Sequence, residues 1–390
     1  MNGYNLSENP KGGRGNMMKH WKKISAVLVI ILAVSVMLVG CGGPSTSNNT
    51  GPTGSSNVEL KKQLLSISED ILAGDIQTWL NASGESYLEA AISYEQKYKL
   101  VDPFKAKMDL INAARSFGYE LMSDWKAFIS SEENMDTTLI IMNKACDKYW
   151  SKEQCERAKS FYNLYVALHN LNIATSKDAP HVYIGFEDGT LIEGSLFVDD
   201  KSPADGGYNP TKRPWYKEAI SHKGQTIYSE PYMDYQLHIP VVTIAKTVNV
   251  DGETVGVAGV DLTLARISGF MESAVLQSGG KTVAFPILYA QNSVIIGHPN
   301  KSYIGYPLDI KAVSNTDEEF LKAVQEQKNQ LGITEERAKQ MAEEWKKIQE
   351  AKTGDWIEGK DPNGEYYMRI VKFKNGWVLG MKVYKSYLNK

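Results

Sequence analysis

The hydrophobic and polar positions follow a helical period over the first third of the chain, from residue 58 to about residue 172. Apolar residues recur there at steps of four and three residues with charged residues between them, which is typical of an amphipathic helix face. The clearest stretch comprises Leu60, Leu64, Ile67 and Ile71. We therefore predict a long amphipathic helix and a helical region over residues 58–180, with breaks at Gly84 and at Asp102-Pro103. The spacing also predicts that the aromatic residues on the apolar stripes are core: Trp79, Tyr87, Tyr94, Phe117, Trp125 and Tyr165.

From residue 181 the pattern changes to short apolar runs separated by Gly and Asp, which is typical of strands. A first block of runs covers residues 182–186, 191–198, 238–250 and 254–264, and a second covers 282–290, 293–298, 366–373 and 377–383. The dipeptides Asp188-Gly189, Asp251-Gly252 and Asn375-Gly376 lie between paired runs and predict hairpins. These blocks predict two antiparallel-sheet modules, at residues 181–278 and 279–390.

A charged helical insertion is predicted inside the second module, at residues 317–352. Gly332 is expected to end one helix, and Thr334 to cap the next one. The predicted fold class is therefore α+β: a long N-terminal helix followed by two antiparallel-sheet modules, with a helical insertion in each half.

The first 40 residues have the pattern of a signal peptide, with an alternative start at Met17 or Met18. Three lysines precede an uncharged run of 16 residues, which is short for a helix crossing a membrane core of about 30 Å. Residues 38–41 resemble the lipobox of bacterial lipoproteins, so we expect cleavage before Cys41 and acylation of its thiol, for example with palmitate. The alternative is an uncleaved membrane anchor. Residues 41–57, mostly Gly, Pro, Ser, Thr and Asn, are then expected to be a flexible tether that holds the folded part at the extracytoplasmic face of the cell membrane.

The charge balance narrows the choice of partners. The chain has 43 Lys and Arg against 46 Asp and Glu, which excludes a generic polyanion binder. Without residues 1–40, which carry five basic residues and one acid, 38 basic and 45 acidic residues remain and the formal charge is −7. This balance argues against nucleic acid or anionic lipid as the partner.

The two remaining cysteines, Cys146 and Cys155, lie nine residues apart in the helical region. In an exported protein such a pair can form a disulfide if the chain turns between them, and Ser151 offers a helix N-cap at that point. We expect the disulfide; the alternative is two buried free thiols.

No catalytic or metal motif was found in the sequence. HExxH, GxSxG, a Walker-type loop and GxGxxG after a strand do not occur, and the six histidines are scattered. We therefore expect neither an enzyme nor a cofactor or metal site.

The densest chemical signal is the segment YNPTKRPWY at residues 208–216. Arg213 precedes a proline and is therefore biased to an extended backbone, which leaves its side chain free of helix packing. With Tyr208 and Trp215 beside it, such an arginine suits a carboxylate ligand, because a guanidinium binds a carboxylate bidentately. The alternative is a surface arginine stacked on Trp215.

A carboxylate also lies where an apolar strand ends. Asp261 follows the run at residues 255–260, and a carboxylate there could bind a cationic ligand group, with Tyr232 shaping the wall. Asp234, in the segment YSEPYMD, is a further candidate. The alternative is that Asp261 caps a helix starting near Leu262.

These segments resemble the double Cache family of extracytoplasmic, PAS-like bacterial sensors. The resemblance rests on YNPTKRPWY, YSEPYMD, VVTIAKTV and GVAGVDLTL for the membrane-distal module, and on SVIIGHPNKSYIGYPL and GWVLGMKVYKSYL for the membrane-proximal one. It covers roughly residues 59–390, although the helical part at 100–172 is longer than the family leads us to expect.

One subset of that family carries a motif for free amino acids, and this chain matches it in residue type, order and approximate spacing. The matching residues are Tyr208, Arg213, Trp215, Tyr232 and Asp261. The resemblance implies that Arg213, Trp215 and Tyr208 hold the α-carboxylate of the ligand, while Asp261 and Tyr232 hold its α-ammonium.

We therefore expect a lipid-anchored sensor, involved in signal transduction such as chemotaxis, that binds an amino acid and performs no reaction. No transmembrane or cytoplasmic signalling region follows Tyr387 in the sequence, so we expect a separate membrane receptor, kinase or transporter as partner. Three alternatives stay open: a solute-binding lipoprotein of a transporter, a Cache protein for an amine or a carboxylic acid, and a hydrolase using Asp and His.

Overall fold

The computed structural model describes residues 54–118, 132–175, 181–193, 208–235, 238–313 and 318–389. The predicted signal peptide, Cys41 and Trp125 lie outside these residues, as does the end of the predicted strand 191–198.

The N-terminal part is helical, as predicted. It comprises α1 (Gly54–Leu80), a π-helical turn (Asn81–Glu85), α2 (Ser86–Tyr98), α3 (Pro103–Ser116), α4 (Glu132–Lys148) and α5 (Lys152–Thr175). The break at Asp102 is confirmed, because Pro103 occupies the first turn of α3. The predicted break at Gly84 is wrong, because the backbone stays helical there and only widens into the π turn. A Cβ on Gly84 would clash with the Ile244 side chain. The helix α1 also begins at Gly54, so it includes the last residues of the predicted tether.

The apolar stripe that predicted α1 lies on its outer face. Leu60, Ile67 and Ile71 are 38%, 52% and 38% exposed, whereas the core contacts come from a second apolar stripe that includes Leu72 and Ile76. The helix was therefore predicted correctly from a face that does not contribute to the core.

The first sheet has six antiparallel strands. They are β1 (Val182–Phe186), β2 (Leu191–Glu193), β3 (Ile227–Tyr228), β4 (Tyr232–Met233), β5 (Pro240–Val250) and β6 (Glu253–Thr263). The strand order is β2-β1-β6-β5-β3, with β4 also paired to β5. The helix α6 (Pro214–Ser221) lies between β2 and β3, and α7 (Leu264–Ser273) follows β6. The hairpins predicted after β1 and β5 are confirmed; in the second, Asp251 and Gly252 both have positive φ, at 52° and 92°.

The second sheet repeats this plan around the predicted helical insertion. It comprises β7 (Leu276–Ser278), β8 (Lys281–Tyr289), β9 (Ile295–Gly297), β10 (Trp356–Asp361), β11 (Gly364–Lys372) and β12 (Val378–Tyr384), in the order β10-β11-β12-β8-β7 with β9 paired to β8. Between β9 and β10 lie α8 (Glu318–Gln330) and α9 (Glu335–Glu350), and α10 (Lys385–Leu388) follows β12. Thr334 caps α9 by accepting a hydrogen bond from the Arg337 backbone N–H at 3.2 Å, as predicted. The α+β class with two antiparallel sheets after a long helix is confirmed; β10 and the short strands β3, β4 and β7 were missed.

A buried ion pair anchors α1 to the second sheet. The Glu69 side chain has no solvent exposure, and its Oε2 lies 2.9 Å from Arg369 Nη1 of β11. Its Oε1 accepts a hydrogen bond of 3.0 Å from the Met381 backbone N–H of β12. Burial raises the pKa of Glu69 to about 8, and these contacts with two strands of the second module oppose that rise.

Alternation along the strands gives the first sheet two different faces. Val182 and Ile184 of β1 point to the side on which the long helices pack and join the main core. Tyr183, between them, points to the other side and packs with Trp215 and Tyr216 of α6 in a smaller core. The predicted ligand-binding residues belong to this second side.

The structure pairs Cys146 of α4 with Cys155 of α5 as a disulfide, with Cα atoms 5.5 Å apart. Between them the chain turns, and Ser151 caps α5: its Oγ accepts a hydrogen bond of 3.2 Å from the Gln154 N–H, while the Gln154 side chain accepts one of 3.1 Å from the Ser151 N–H.

Replacing both cysteines by alanine is expected to lower the free energy of unfolding by about 2 kcal/mol, because a short loop is no longer closed in the unfolded chain. Denaturant unfolding of the oxidised protein, with and without reductant, measures this. Reductant should bring the unsubstituted protein down to the variant; identical unfolding of the two without reductant would contradict the disulfide.

Candidate functional site

The centre of the candidate site is the carboxylate of Asp261, near the end of β6. Asp261 is 6% exposed and lies opposite Thr243 of β5 in the sheet. Its Oδ1 accepts two hydrogen bonds of 2.6 Å, from the hydroxyls of Tyr183 and Thr243. Because the Thr243 proton goes to Asp261, its oxygen accepts in turn from the Tyr232 hydroxyl at 2.6 Å. Two hydroxyl groups thus donate directly to one carboxylate oxygen, and the third donates to one of those two hydroxyls.

The other oxygen, Oδ2, receives no hydrogen bond from the residues that the structure describes. The alternation of side chains along β6 places Asp261 on the same side of the sheet as Tyr183, which lies opposite Gly259. Asp261 therefore presents an acceptor to the α6 side of the sheet, where Tyr183 and Tyr232 also point.

Burial raises the pKa of Asp261 to about 6. The hydrogen bonds from Thr243 and Tyr183 oppose this rise, the nearby charge of Asp234 adds to it, and His181 reduces it. At pH 7.5 the carboxylate is mainly ionised, so it can bind a cationic group.

A glycine allows Tyr183 to reach Asp261. Gly259 lies directly opposite Tyr183 in the sheet, and a Cβ built on it would lie 2.8 Å from the Tyr183 Cζ atom. The tyrosine ring therefore crosses the neighbouring strand over Gly259 and places its hydroxyl against the carboxylate two residues further on.

Gly259→Ala is expected to displace this ring and to lower the free energy of unfolding by about 1–3 kcal/mol through overpacking. Urea unfolding measures the change. Gly269→Ala is the matched control, because a Cβ at Gly269 in α7 meets no atom within 4 Å; a similar loss in both variants would show that the ring contact is not the cause.

The cation of the site, Arg213, precedes α6 in the extended conformation that its proline neighbour predicts, with φ −78° and ψ 151°. Its Nη2 donates a hydrogen bond of 2.7 Å to the Met233 carbonyl, and its guanidinium lies 5.1 Å from the centre of the Tyr232 ring. Its buried Nε finds no acceptor among the described residues. The alternative of an arginine stacked on Trp215 is wrong, because the aromatic partner is Tyr232.

Trp215 and Tyr208 complete the wall on the α6 side. Trp215 is buried, meets the edge of the Tyr183 ring at 5.0 Å, and packs over Gly185, where a Cβ would approach its ring to 2.9 Å. Burial raises the pKa of Tyr208. The charge of Arg213 lowers this pKa, and the charge of Asp261 raises it further. Tyr208 therefore lies within reach of both charges of the site.

The structure brings all six candidates to one side of the first sheet, although with different degrees of contact. Asp234, at the end of β4, donates its backbone N–H to the Ile239 carbonyl at 2.9 Å and acts on Asp261 through its charge. The capping alternative for Asp261 is wrong, since α7 begins at Leu264 after Thr263. The prediction omitted Tyr183 and Thr243. Each could have been recognised in the sequence as a residue with a hydroxyl group inside an otherwise apolar strand.

Two further properties concern only the described residues. No group of three His, Cys, Asp or Glu side chains there is arranged to hold a metal ion. Across the same ranges, no helix combines the length and apolar character that crossing a membrane requires.

Comparison with known sequences identifies what this region is similar to. Residues 150–269 match the family described as "methyl-accepting chemotaxis protein-like, first PDC sensor domain". The chain is 38% identical over 122 residues to the methyl-accepting chemotaxis protein PctB of Pseudomonas aeruginosa, which is 31% of this chain and 18% of PctB. It is 35% identical over 130 residues to TlpB of Bacillus subtilis, which is 33% of this chain and 17% of TlpB. The matches thus span less than a fifth of either relative.

Solved structures with similarity are also ligand-binding domains of chemoreceptors. The domain of Pseudomonas fluorescens CtaA in complex with L-leucine has a TM-score of 0.38 at 19% identity, over 58% of this chain and 80% of that domain. The domain of the P. aeruginosa amino acid chemoreceptor PctB in complex with L-Arg has a TM-score of 0.36 at 21% identity, over 80% of this chain and 97% of that domain.

The family match begins before α5 and ends within α7, so it contains the whole first sheet and α6. All six candidate ligand-binding residues lie inside it. The first module of this chain is therefore similar to the first PDC sensor domain of methyl-accepting chemotaxis receptors.

Proposed function

We propose that this chain is an extracytoplasmic ligand-binding protein that binds a free amino acid in its first module, residues 181–278. The observation that carries this proposal is the buried Asp261 carboxylate, which has hydroxyl donors on Oδ1 and an acceptor available on Oδ2. A zwitterionic ligand needs one fixed anion and one fixed cation in a largely desolvated site.

In the proposed complex, Asp261 Oδ2 accepts the α-ammonium, and the Tyr232 ring forms the adjoining wall. Arg213, with the polar edges of Tyr208 and Trp215, binds the α-carboxylate. The Nε–H of Arg213 finds no acceptor among the described residues, which supports a ligand oxygen as its partner. Asp234 adds negative charge on the ammonium side.

The sequence relatives support the same ligand class. PctB, with which this chain shares 38% identity over 122 residues, is described as an amino acid chemoreceptor. We infer a sensing role, in signalling such as chemotaxis, and no reaction.

We further propose the setting of this domain. A signal peptide at residues 1–40 directs export, acylated Cys41 anchors the protein to the extracytoplasmic face of the cell membrane, and residues following Cys41 act as a tether. The ligand-bound state is then read by a membrane receptor, kinase or transporter. Metabolic labelling with a palmitate analogue, and its loss in Cys41→Ser, tests the anchor separately from ligand binding.

The ligand proposal is tested by a thermal-shift screen of the purified protein against all proteinogenic amino acids. A ligand at 100 times its Kd stabilises the folded state by about 2.7 kcal/mol, which should raise Tm by roughly 5 °C. No shift with any member of the panel would refute the proposal.

Arg213→Ala separates an amino-acid site from an amine site. Loss of the carboxylate partner should abolish the shift for an amino acid and preserve it for the corresponding amine. Lys212→Ala is the matched control, because Lys212 is the exposed cation next in sequence.

A further inference from the structure

The second module carries a charged residue at the position that corresponds to Asp261. Lys382 lies on β12, two residues after Gly380 and three before the start of α10. Asp261 lies on β6, two residues after Gly259 and three before the start of α7. The last strand of each sheet therefore places a charge at the same point, but the sign is reversed.

The side chain of Lys382 is enclosed by its own module. Only 6% of it is exposed, and its ammonium Nζ lies 3.0 Å from Asp361 Oδ2 of β10, whose side chain is 7% exposed. The same Nζ lies 3.8 Å from the centre of the Tyr366 ring and 5.8 Å from that of Phe285. An ammonium that faces aromatic rings and a buried carboxylate has the environment in which proteins recognise alkylammonium ligands.

Neighbouring groups complete this enclosure. Tyr384 donates a hydrogen bond of 3.1 Å from its hydroxyl to Asp361 Oδ2, and its ring lies 6.5 Å from the Tyr366 ring. The His298 ring lies 5.4 Å from Phe285. Burial lowers the pKa of His298 to about 4, so at neutral pH it places no second positive charge beside the ammonium.

We propose that the second module contains an amine-recognition site that is permanently filled by the module's own Lys382 ammonium. The rings of Tyr366 and Phe285 and the carboxylate of Asp361 bind this ammonium as they would bind a free alkylammonium ion. The second module is thereby held in one state, and an external amine does not enter it. The proposal concerns a different module from the amino-acid site and does not rest on it.

The test is to remove the tethered amine and to supply it from solution. Lys382→Ala deletes the atoms equivalent to n-propylammonium and leaves Asp361 without its cationic partner, so Tm is expected to fall by about 10 °C. Millimolar n-propylammonium should restore at least half of that loss in the variant and change the Tm of the unsubstituted protein much less. The neutral analogue n-propanol should restore nothing.

Two further variants test the components of the site. Lys382→Met fills the same volume without a charge, so its Tm should be lowered but not raised by n-propylammonium. Lys382→Ala/Asp361→Asn keeps the space and removes the carboxylate, so it should also fail to respond. An equal response in all three variants, or no response in Lys382→Ala, would overturn the proposal.

If Lys382→Ala does not fold, the yield of folded protein after refolding with n-propylammonium becomes the measurement. Recovery with the amine and none with n-propanol supports the tethered-amine site. Failure of the amine to recover Lys382→Ala, while Lys382→Met folds under the same conditions, contradicts it.

Discussion

Asp261→Asn is expected to abolish amino-acid binding while leaving the protein folded. The substitution retains Oδ1, which accepts the hydrogen bonds from Tyr183 and Thr243, and changes only Oδ2 to an amide nitrogen. That nitrogen donates rather than accepts, and the negative charge is lost, so the proposed partner of the α-ammonium disappears. Removing one partner of a buried charge pair costs about 2–5 kcal/mol, which corresponds to a loss of affinity of about 30-fold to about 4,000-fold.

The stability of the unliganded variant separates this effect from damage to the fold. Burial raises the pKa of Asp261 to about 6, so at pH 7.5 the ionised side chain destabilises the folded state relative to a neutral one. Asp261→Asn should therefore unfold at an equal or higher Tm without ligand. Titration calorimetry and thermal unfolding of the same samples measure both quantities.

Asp234→Asn is the matched control, because it removes a nearby carboxylate whose charge acts on Asp261. It should weaken binding by much less than Asp261→Asn does. Retention of full affinity in Asp261→Asn would rule out this carboxylate as the ammonium partner.

The features that were predictable from the sequence are those that depend on neighbouring residues. The turns at Asp251-Gly252 and Asn375-Gly376 need positive φ, which their residue types favour, so the hairpins follow from local chemistry. Thr334 and Gly332 mark helix ends for similar local reasons. The site candidates Arg213 and Asp261 were recognisable from their neighbours in the sequence. Arg213 precedes a proline and is therefore extended, and Asp261 is a charged residue directly after an apolar run.

The features that were missed depend on pairing between distant segments. Tyr183 and Thr243 lie in apolar runs, and only the register of β1, β6 and β5 shows that both point at Asp261. The strand β10 alternates half-buried and polar residues and was therefore not recognised as a strand. On α1 the apolar stripe that includes Ile67 faces outward. Periodicity predicts a helix, but it does not show which of two apolar faces packs against the core.

The affinity for the amino acid is expected to fall as pH decreases through the pKa of Asp261, which is about 6. The α-ammonium binds the ionised carboxylate, so binding must compete with protonation below that pH. Apparent affinity should then fall about tenfold per pH unit, and by about 100-fold from pH 7.5 to pH 4, until the lower pKa of the liganded carboxylate is reached.

The stability of the unliganded protein should change in the opposite direction. The pKa of Asp261 is higher in the folded state than the 3.8 of the ordinary side chain, so the folded state binds more protons between about pH 4 and pH 6. Its contribution to the free energy of unfolding therefore falls as pH rises through this window, by up to about 3 kcal/mol, and is constant above it. The difference between the unsubstituted protein and Asp261→Asn isolates this contribution from that of other titrating groups.

These two trends together make two predictions for rising pH. The ligand-induced rise in Tm becomes larger, and the contribution of Asp261 to the Tm of the unliganded protein becomes smaller. Calorimetric titrations from pH 4 to pH 7.5 would show the first trend, and paired unfolding curves the second. The charge of His181 also acts on Asp261, so His181→Gln is the control variant. If the pH dependence disappears in His181→Gln and persists in Asp261→Asn, the histidine and not the carboxylate controls binding.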